Sequence, residues 1–227
     1  EMCIRDSLWT IASDYRLKII EDACHALGST YLSNGQQTAI GSCLHSTMCT
    51  FSFHPVKTIA MGEGGAVTTN SETLYKKLLL LRNHALIRNP DEWSSDGTHV
   101  PVQDRNPSWY YEINEISPNY RASDIHCALG RSQLSRLETF VKKRRARVSW
   151  YDKCVSDLYP HIVPLQKITT CEPAWHLYIL LIDFERYGIK RQDLMAKLKS
   201  LGIGSQVHYI PVPWQPYYRK HCSESCL

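Results

Sequence analysis

The sequence predicts an α/β protein, with helices packed on a mixed, mostly parallel sheet and a smaller α/β domain following it. Three observations carry this. Short runs of β-branched and aromatic residues alternate with segments of helical period between residues 17 and 88. A stretch of nearly forty residues, "RASDIHCALGRSQLSRLETFVKKRRARVSWYDKCVSDL", then holds apolar residues at helical spacing. After Pro160 the texture returns to strand and helix signals in alternation, which puts a domain boundary near residue 158. Residues 1–158 are expected to form the larger domain with a long connecting helix, and 159–227 the smaller one.

Taken in order, Leu17 to Ile20 is a short β-type run closed by the acidic pair Glu21 and Asp22. Carboxyl ends of strands are where α/β folds bind ligands. "TMCTFSF", Thr47 to Phe53, is rich in β-branched and aromatic residues and is read as a second strand, with "GAVTTN", Gly65 to Asn70, as a third. Ser71 can cap a helix that starts at Glu72. The polar stretch from Asn89 to Ser108 reads as a long loop, of a length usually tied to function or to a partner. In the long helical stretch the periodic positions are Ile125, Leu129, Leu134, Leu137, Val141, Val148, Tyr151 and Val155, giving a helix pair or one bent helix. "WHLYILLID" is then read as a strand, "KRQDLMAKLKSLG" as a helix closed by Gly202, and "GSQVHY" as a further strand.

Composition narrows the function classes. The 227 residues are 43% hydrophobic and 21% charged, ordinary for a globular chain, and the net charge of +4 is too mild to argue for nucleic acid. The basic run "KKRRAR", Lys142 to Arg147, sits inside a helical pattern and reads as a solvated helix face, with a phosphate or subunit contact as the alternative. The 9 cysteines are scattered without a C-x-x-C pair, which suits reduced thiols in the cytoplasm. Cys222 and Cys226 beside His221 have no second ligand pair, so no metal is expected. Apolar runs such as "LYILLI" are too short to span a bilayer, and "EMCIRDS" has no apolar signal core.

The run "FSFHPVKTIAMGEGGAVTTN" frames one amine, Lys57, between a strand and three glycines. A lysine used as a nucleophile must be desolvated or placed near another cation. Ser52, five residues earlier, offers a hydroxyl of the kind that holds phosphate, and Gly62, Gly64 and Gly65 let backbone approach a ligand closely. Together with Asp22, the set suits pyridoxal phosphate, with the amine forming a Schiff base and the carboxylate facing the pyridine nitrogen. Each group alone has a plain structural reading: a helix cap for Asp22, a local hydrogen bond for Ser52, a turn for "GEGG". No P-loop and no helix-opening G-x-G-x-x-G is present.

"EDACHALG", "FSFHPVKTIAMGEGGAVTTN", "RNHA", "SPNYRASDIHCALGRSQLSRLE" and "GIGSQVHYIPVPWQPYYRK" occur in this order, and the set resembles the DegT-type nucleotide-sugar aminotransferases from about residue 8 to 220. That resemblance implies a fold-type-I pyridoxal-phosphate transferase, part of a large cofactor domain followed by part of a small one. It implies Lys57 as the Schiff-base lysine and proton carrier, Asp22 opposite the pyridine nitrogen, and His25 as an orienting group beside the ring. Ser52 matches the phosphate-binding hydroxyl, and Asn119 an asparagine reaching the cofactor of a neighbouring subunit, hence a homodimer with shared sites. His208 and Tyr209 lie where relatives approach the sugar nucleotide. The closing segment most resembles transaminases of pseudaminic-acid synthesis, which implies a UDP-linked 4-keto-6-deoxy-N-acetylhexosamine as substrate, glutamate as donor and a cytoplasmic enzyme.

Rival readings are an aminotransferase for another nucleotide-linked keto sugar, a dehydratase (in which histidine replaces Lys57), and an inactive fragment or non-catalytic relative. Ala85 in "RNHA" departs from the glycine common in relatives. Relatives also carry further chain upstream, including the ring-stacking aromatic, so the chain is expected to be a fragment. Its residues 1–7 and 221–227 are doubtful as native sequence.

Overall fold

The computed structural model of the protein describes residues 4–94 and 108–221. Helix α1 (Ile4–Asp14) leads into strand β1 (Ile20–Asp22), the hairpin β2 (Thr30–Ser33) and β3 (Gln36–Ala39), and strands β4 (Met48–Ser52) and β5 (Gly65–Thr68). Helix α2 (Glu72–Leu81), the short pair β6 (Leu86–Ile87) and β7 (Glu112–Ile113), and helices α3 (Asp124–Leu134) and α4 (Leu137–Ser156) follow. Then come β8 (Ile162–Pro164), β9 (Cys171–Glu172), β10 (Leu180–Ile182), α5 (Arg191–Ser200) and α6 (Pro216–His221). The chain divides into two compact units, one of residues 1–157 with 164–179, the other of 158–163 with 180–227.

In the first unit, β1 pairs in parallel with β4, and β4 pairs antiparallel with β5, in the order β1-β4-β5. The register sets Asp22 beside Thr50 and Ser52 beside Gly65. Beneath this sheet Ala23, Cys43, Cys49 and Phe51 are buried together, flanked by Ala26, Leu27, Ile40 and Phe53. Alternate β4 residues, Cys49 and Phe51, face that core, as a strand's period of two requires. A second sheet has the order β3-β2-β9. Helix α4 packs on the loop after β1: a Cβ on Gly28, whose φ is +84°, would stand 2.9 Å from Val141. Only glycine accommodates both that backbone and that approach.

Several predicted elements shift. Strand β1 covers Ile20–Asp22 rather than Leu17 to Ile20, because Leu17 N–H donates back to Ala12 O at the end of α1 while Ile20, Glu21 and Asp22 pair with β4. The helical stretch is two helices, and Val141, Val148 and Val155 are its buried positions; Ile125 (82%), Leu129, Leu134 and Tyr151 are exposed. Of "WHLYILLID", only Leu180–Ile182 is a strand, since Trp175 has φ +25° and the Trp175 and His176 carbonyls accept from Arg144. "GSQVHY" makes no strand: residues 203–211 carry no ladder, and Tyr209 turns with φ +45°.

Helix α2 begins at Glu72 with Ser71 as its cap, the Ser71 hydroxyl accepting from Leu74 N–H at 3.4 Å. In the second unit, β10 pairs with β8, and α5 ends before Gly202, whose φ is +76°. The loop read from Asn89 to Ser108 lies partly, and Cys222 and Cys226 wholly, outside the described residues. No described helix is long and apolar enough to cross a membrane.

Candidate active site

The end of β1 and the end of β4 are locked together. Ala23 N–H donates to Thr50 O at 2.9 Å, and the Thr50 hydroxyl donates to Glu21 O at 3.2 Å. This fixes Asp22 next to the strand that ends in Ser52. Beyond β4 the chain makes a loop whose ends meet, Met61 N–H donating to Phe53 O at 2.9 Å and Phe53 N–H to Gly64 O at 2.9 Å. Thr58, Ile59 and Met61 are buried and anchor it, so the half-buried Lys57 stands on an apolar footing rather than on a free surface loop. Gly65 answers to geometry: a Cβ there would meet the Phe51 carbonyl oxygen at 2.4 Å.

Electrostatics tie three of the named groups. The Cys24 thiol and the Cys24 N–H, 3.0 Å from Asp22 Oδ1, hold the Asp22 carboxyl below its usual range, and the charges of His25 and Lys57 add to the effect. Asp22 is therefore a carboxylate, and it caps no helix: its oxygen serves a local turn two residues on. Burial pushes the Cys24 thiol up, and the adjacent carboxylate adds to that. His25 is exposed, with its ring centroid 4.3 Å from that of His176. Ser52 Oγ accepts from His54 N–H at 3.4 Å.

On one side Lys57 borders a cleft of about 390 Å³ shared with Gln133, Phe140, Lys143, Arg144 and Arg147. The basic run of α4 thus faces the lysine loop instead of being a wholly solvated helix face. Asn119 sits on another segment, bridged to Asn83; its oxygen accepts from Arg121 N–H at 3.2 Å, and the Arg121 guanidinium donates to Asn83. In the second unit, the rings of the exposed His208 and Tyr209 meet with centroids 4.5 Å apart and planes tilted by 33°. The structure thus brings Asp22, His25, Ser52 and Lys57 to adjoining strand ends and carries Asn119 and the His208–Tyr209 pair on other segments.

Two participants escape motif reading. Cys24 is the donor that holds the Asp22 carboxyl below its usual range, and His176 meets His25 from far along the chain. The "EDACH" run contains the first signal, since a thiol two residues after a carboxylate can reach it; nothing local signals the second. Among the described residues no cluster of His, Cys, Asp and Glu is arranged to hold a metal ion. The donor set does fit pyridoxal phosphate: a carboxylate kept ionised for a protonated ring nitrogen, a hydroxyl at a strand end, and an amine on the next loop.

The described architecture is that of known enzymes. The structure of Helicobacter pylori PseC, an aminotransferase involved in the biosynthesis of pseudoaminic acid, superposes with a TM-score of 0.79 at 27% identity, over 96% of this chain and 52% of that one. The PLP form of Spr1654 from Streptococcus pneumoniae gives a TM-score of 0.76 at 27% identity, over 99% of this chain and 56% of that one. The UDP-4-amino-4,6-dideoxy-N-acetyl-beta-L-altrosamine transaminase of Campylobacter jejuni is 36% identical over 220 residues, 96% of this chain and 52% of that protein. The chain spans about half the length of the curated relatives it matches. The profile of the DegT/DnrJ/EryC1/StrS aminotransferases matches residues 1–226, and the chain belongs to that family, with its fold-type-I architecture.

Proposed function

We propose that the protein is a pyridoxal-phosphate-dependent sugar aminotransferase that aminates the 4-keto group of a UDP-linked 6-deoxy-N-acetylhexosamine, with glutamate as donor. The observation that carries the chemistry is the placement of Lys57 on an anchored loop beside Ser52 and an ionised Asp22. The sugar reading is supported by the Campylobacter relative, named for a UDP-linked 4-amino sugar, and by the pseudoaminic-acid role in the PseC description.

When bound, pyridoxal phosphate supplies an electron sink for the carbanion left by α-proton removal. The residues do the rest. Asp22, its carboxyl held below the usual range by its Cys24 contacts, would keep the ring nitrogen protonated. Ser52 would offer its hydroxyl to the phosphate, and His25 would orient the ring. Lys57 would hold the cofactor through its amine, and its Nζ would carry the proton as a base and then as an acid. Residues 1–158, with 164–179 packed beside them, are assigned to the cofactor domain and the rest of 159–227 to the smaller domain, from which His208 and Tyr209 contact the nucleotide sugar.

Asn119 is assigned to the partner's cofactor phosphate in a cytoplasmic homodimer. The apolar surface around it, with Ile116 fully exposed and Tyr120 at 75%, is of a kind that subunit interfaces cover. The experiment presents the full-length gene product with UDP- and dTDP-linked 3-keto and 4-keto sugars and follows cofactor absorbance. Amination of the UDP-linked 4-keto sugar is expected, with His208→Ala lowering kcat/KM for the sugar and sparing the glutamate half-reaction. Preference for a dTDP-linked 3-keto sugar would overturn the substrate assignment.

A further inference from the structure

We propose that His176 is a positioning residue for His25, holding that imidazole beside Asp22 through ring contact from a segment clamped onto α4. The inference rests on the aminotransferase reading above and adds to it a residue outside every motif of the site.

The segment 172–176 is held from two sides. On the α4 side, Arg144 Nη1 donates to Trp175 O at 3.1 Å and to His176 O at 3.3 Å. Arg145 donates to Pro173 O and Glu172 O, each at 3.2 Å, and pairs with the Glu172 carboxylate at 3.1 Å. On the sheet side, Glu172 sits in register with Thr30 of β2, and Ala174 N–H donates to Ser29 Oγ at 2.9 Å. Ala174 between them is fully buried.

Trp175 has φ +25°, a conformation a bulky L-residue adopts only where its surroundings over-determine it. Here they do, since both its own carbonyl and the next are bound by one guanidinium. The turn at Trp175 delivers His176 against His25, with ring centroids 4.3 Å apart and planes tilted by 57°. That spacing is within the range of favourable aromatic pairs. His25 itself is exposed on the loop after β1. The contact narrows the rotamers open to the His25 ring beside Asp22. His176 acts on the site through this ring contact.

The test is a double-mutant cycle in the full-length protein, read by the dissociation constant for pyridoxal phosphate. His176→Ala should raise that constant about threefold to tenfold, the scale of a direct pairwise coupling. His176→Phe, which keeps a ring, should recover most of the loss. In a His25→Ala background, His176→Ala should add nothing. A loss of equal size in that background would make His176 merely structural and overturn the proposal. A second readout needs no cofactor: the His25 ring resonances of the ligand-free protein should move with His176→Ala and with Arg144→Met, and unmoved resonances would also overturn it. Should the wild type fail to bind pyridoxal phosphate, the aminotransferase reading falls, while those resonances still decide the His25–His176 coupling.

Discussion

Gly65 is the position where the "GEGG" run meets the sheet, and Gly65→Ala is the perturbation whose cost the structure sets most directly. The added Cβ would lie 2.4 Å from the Phe51 carbonyl oxygen, a backbone atom that no rotamer change can move. Relief requires β5 to part from β4 where Ser52 pairs with Gly65. Overpacking costs about 1–3 kcal/mol, and weakening one ladder hydrogen bond about 1 kcal/mol more. The expected loss is about 2–4 kcal/mol, a large share of a total of about 5–15 kcal/mol.

In urea, with a slope of about 3 kcal/mol/M, the unfolding midpoint of the full-length gene product should fall by about 1 M. Gly204→Ala is the control, since nothing lies within 4 Å of its Cβ, and it should change stability by less than about 0.5 kcal/mol. Because the same displacement moves Ser52, Gly65→Ala should also weaken cofactor retention and Gly204→Ala should not. A Gly65→Ala protein with the wild-type midpoint would refute the reasoning about this close approach.

Asp22 and Asn119 give two further expectations. The Asp22 carboxyl lies below its ordinary value, so it adds stability above the unfolded pKa of about 4, and that stability is lost as pH falls through the lower folded value. Asp22→Asn should therefore flatten the acid limb of the stability profile below about pH 4, and a limb parallel to wild type would contradict it. Asn119→Ala should weaken cofactor retention without preventing folding, measured by dialysis of the loaded protein; an active monomer by sedimentation would refute the shared site.

What was legible in the sequence follows contact range. Ser71 capping α2 and Gly202 ending α5 are local devices, and they stand where the residue types put them. The β2–β3 hairpin, absent from the strands named in the sequence analysis, is also legible: "SNGQ" turns at Asn34 and Gly35 with φ +49° and +77°, the pair a tight two-residue hairpin calls for. The β1 register and the broken "WHLYILLID" strand were not, because hydrogen bonds from distant partners, Met48 to Thr50 in one case and Arg144 in the other, decide them. The site divides likewise. Asp22, His25, Ser52 and Lys57 lie within two short motifs, whereas the approach of His176 depends on how α4 grips another segment.

The most direct measurement of the central claim is chemical trapping. The full-length protein, loaded with pyridoxal phosphate, is reduced with borohydride, digested and mapped. The account predicts one pyridoxyl label, on Lys57, and none in a Lys57→Ala protein. Lys143 borders the same cleft and serves as an internal control for adventitious reaction. A label on Lys143 or any other lysine, or no label at all, would contradict the assignment of Lys57 as the covalent anchor.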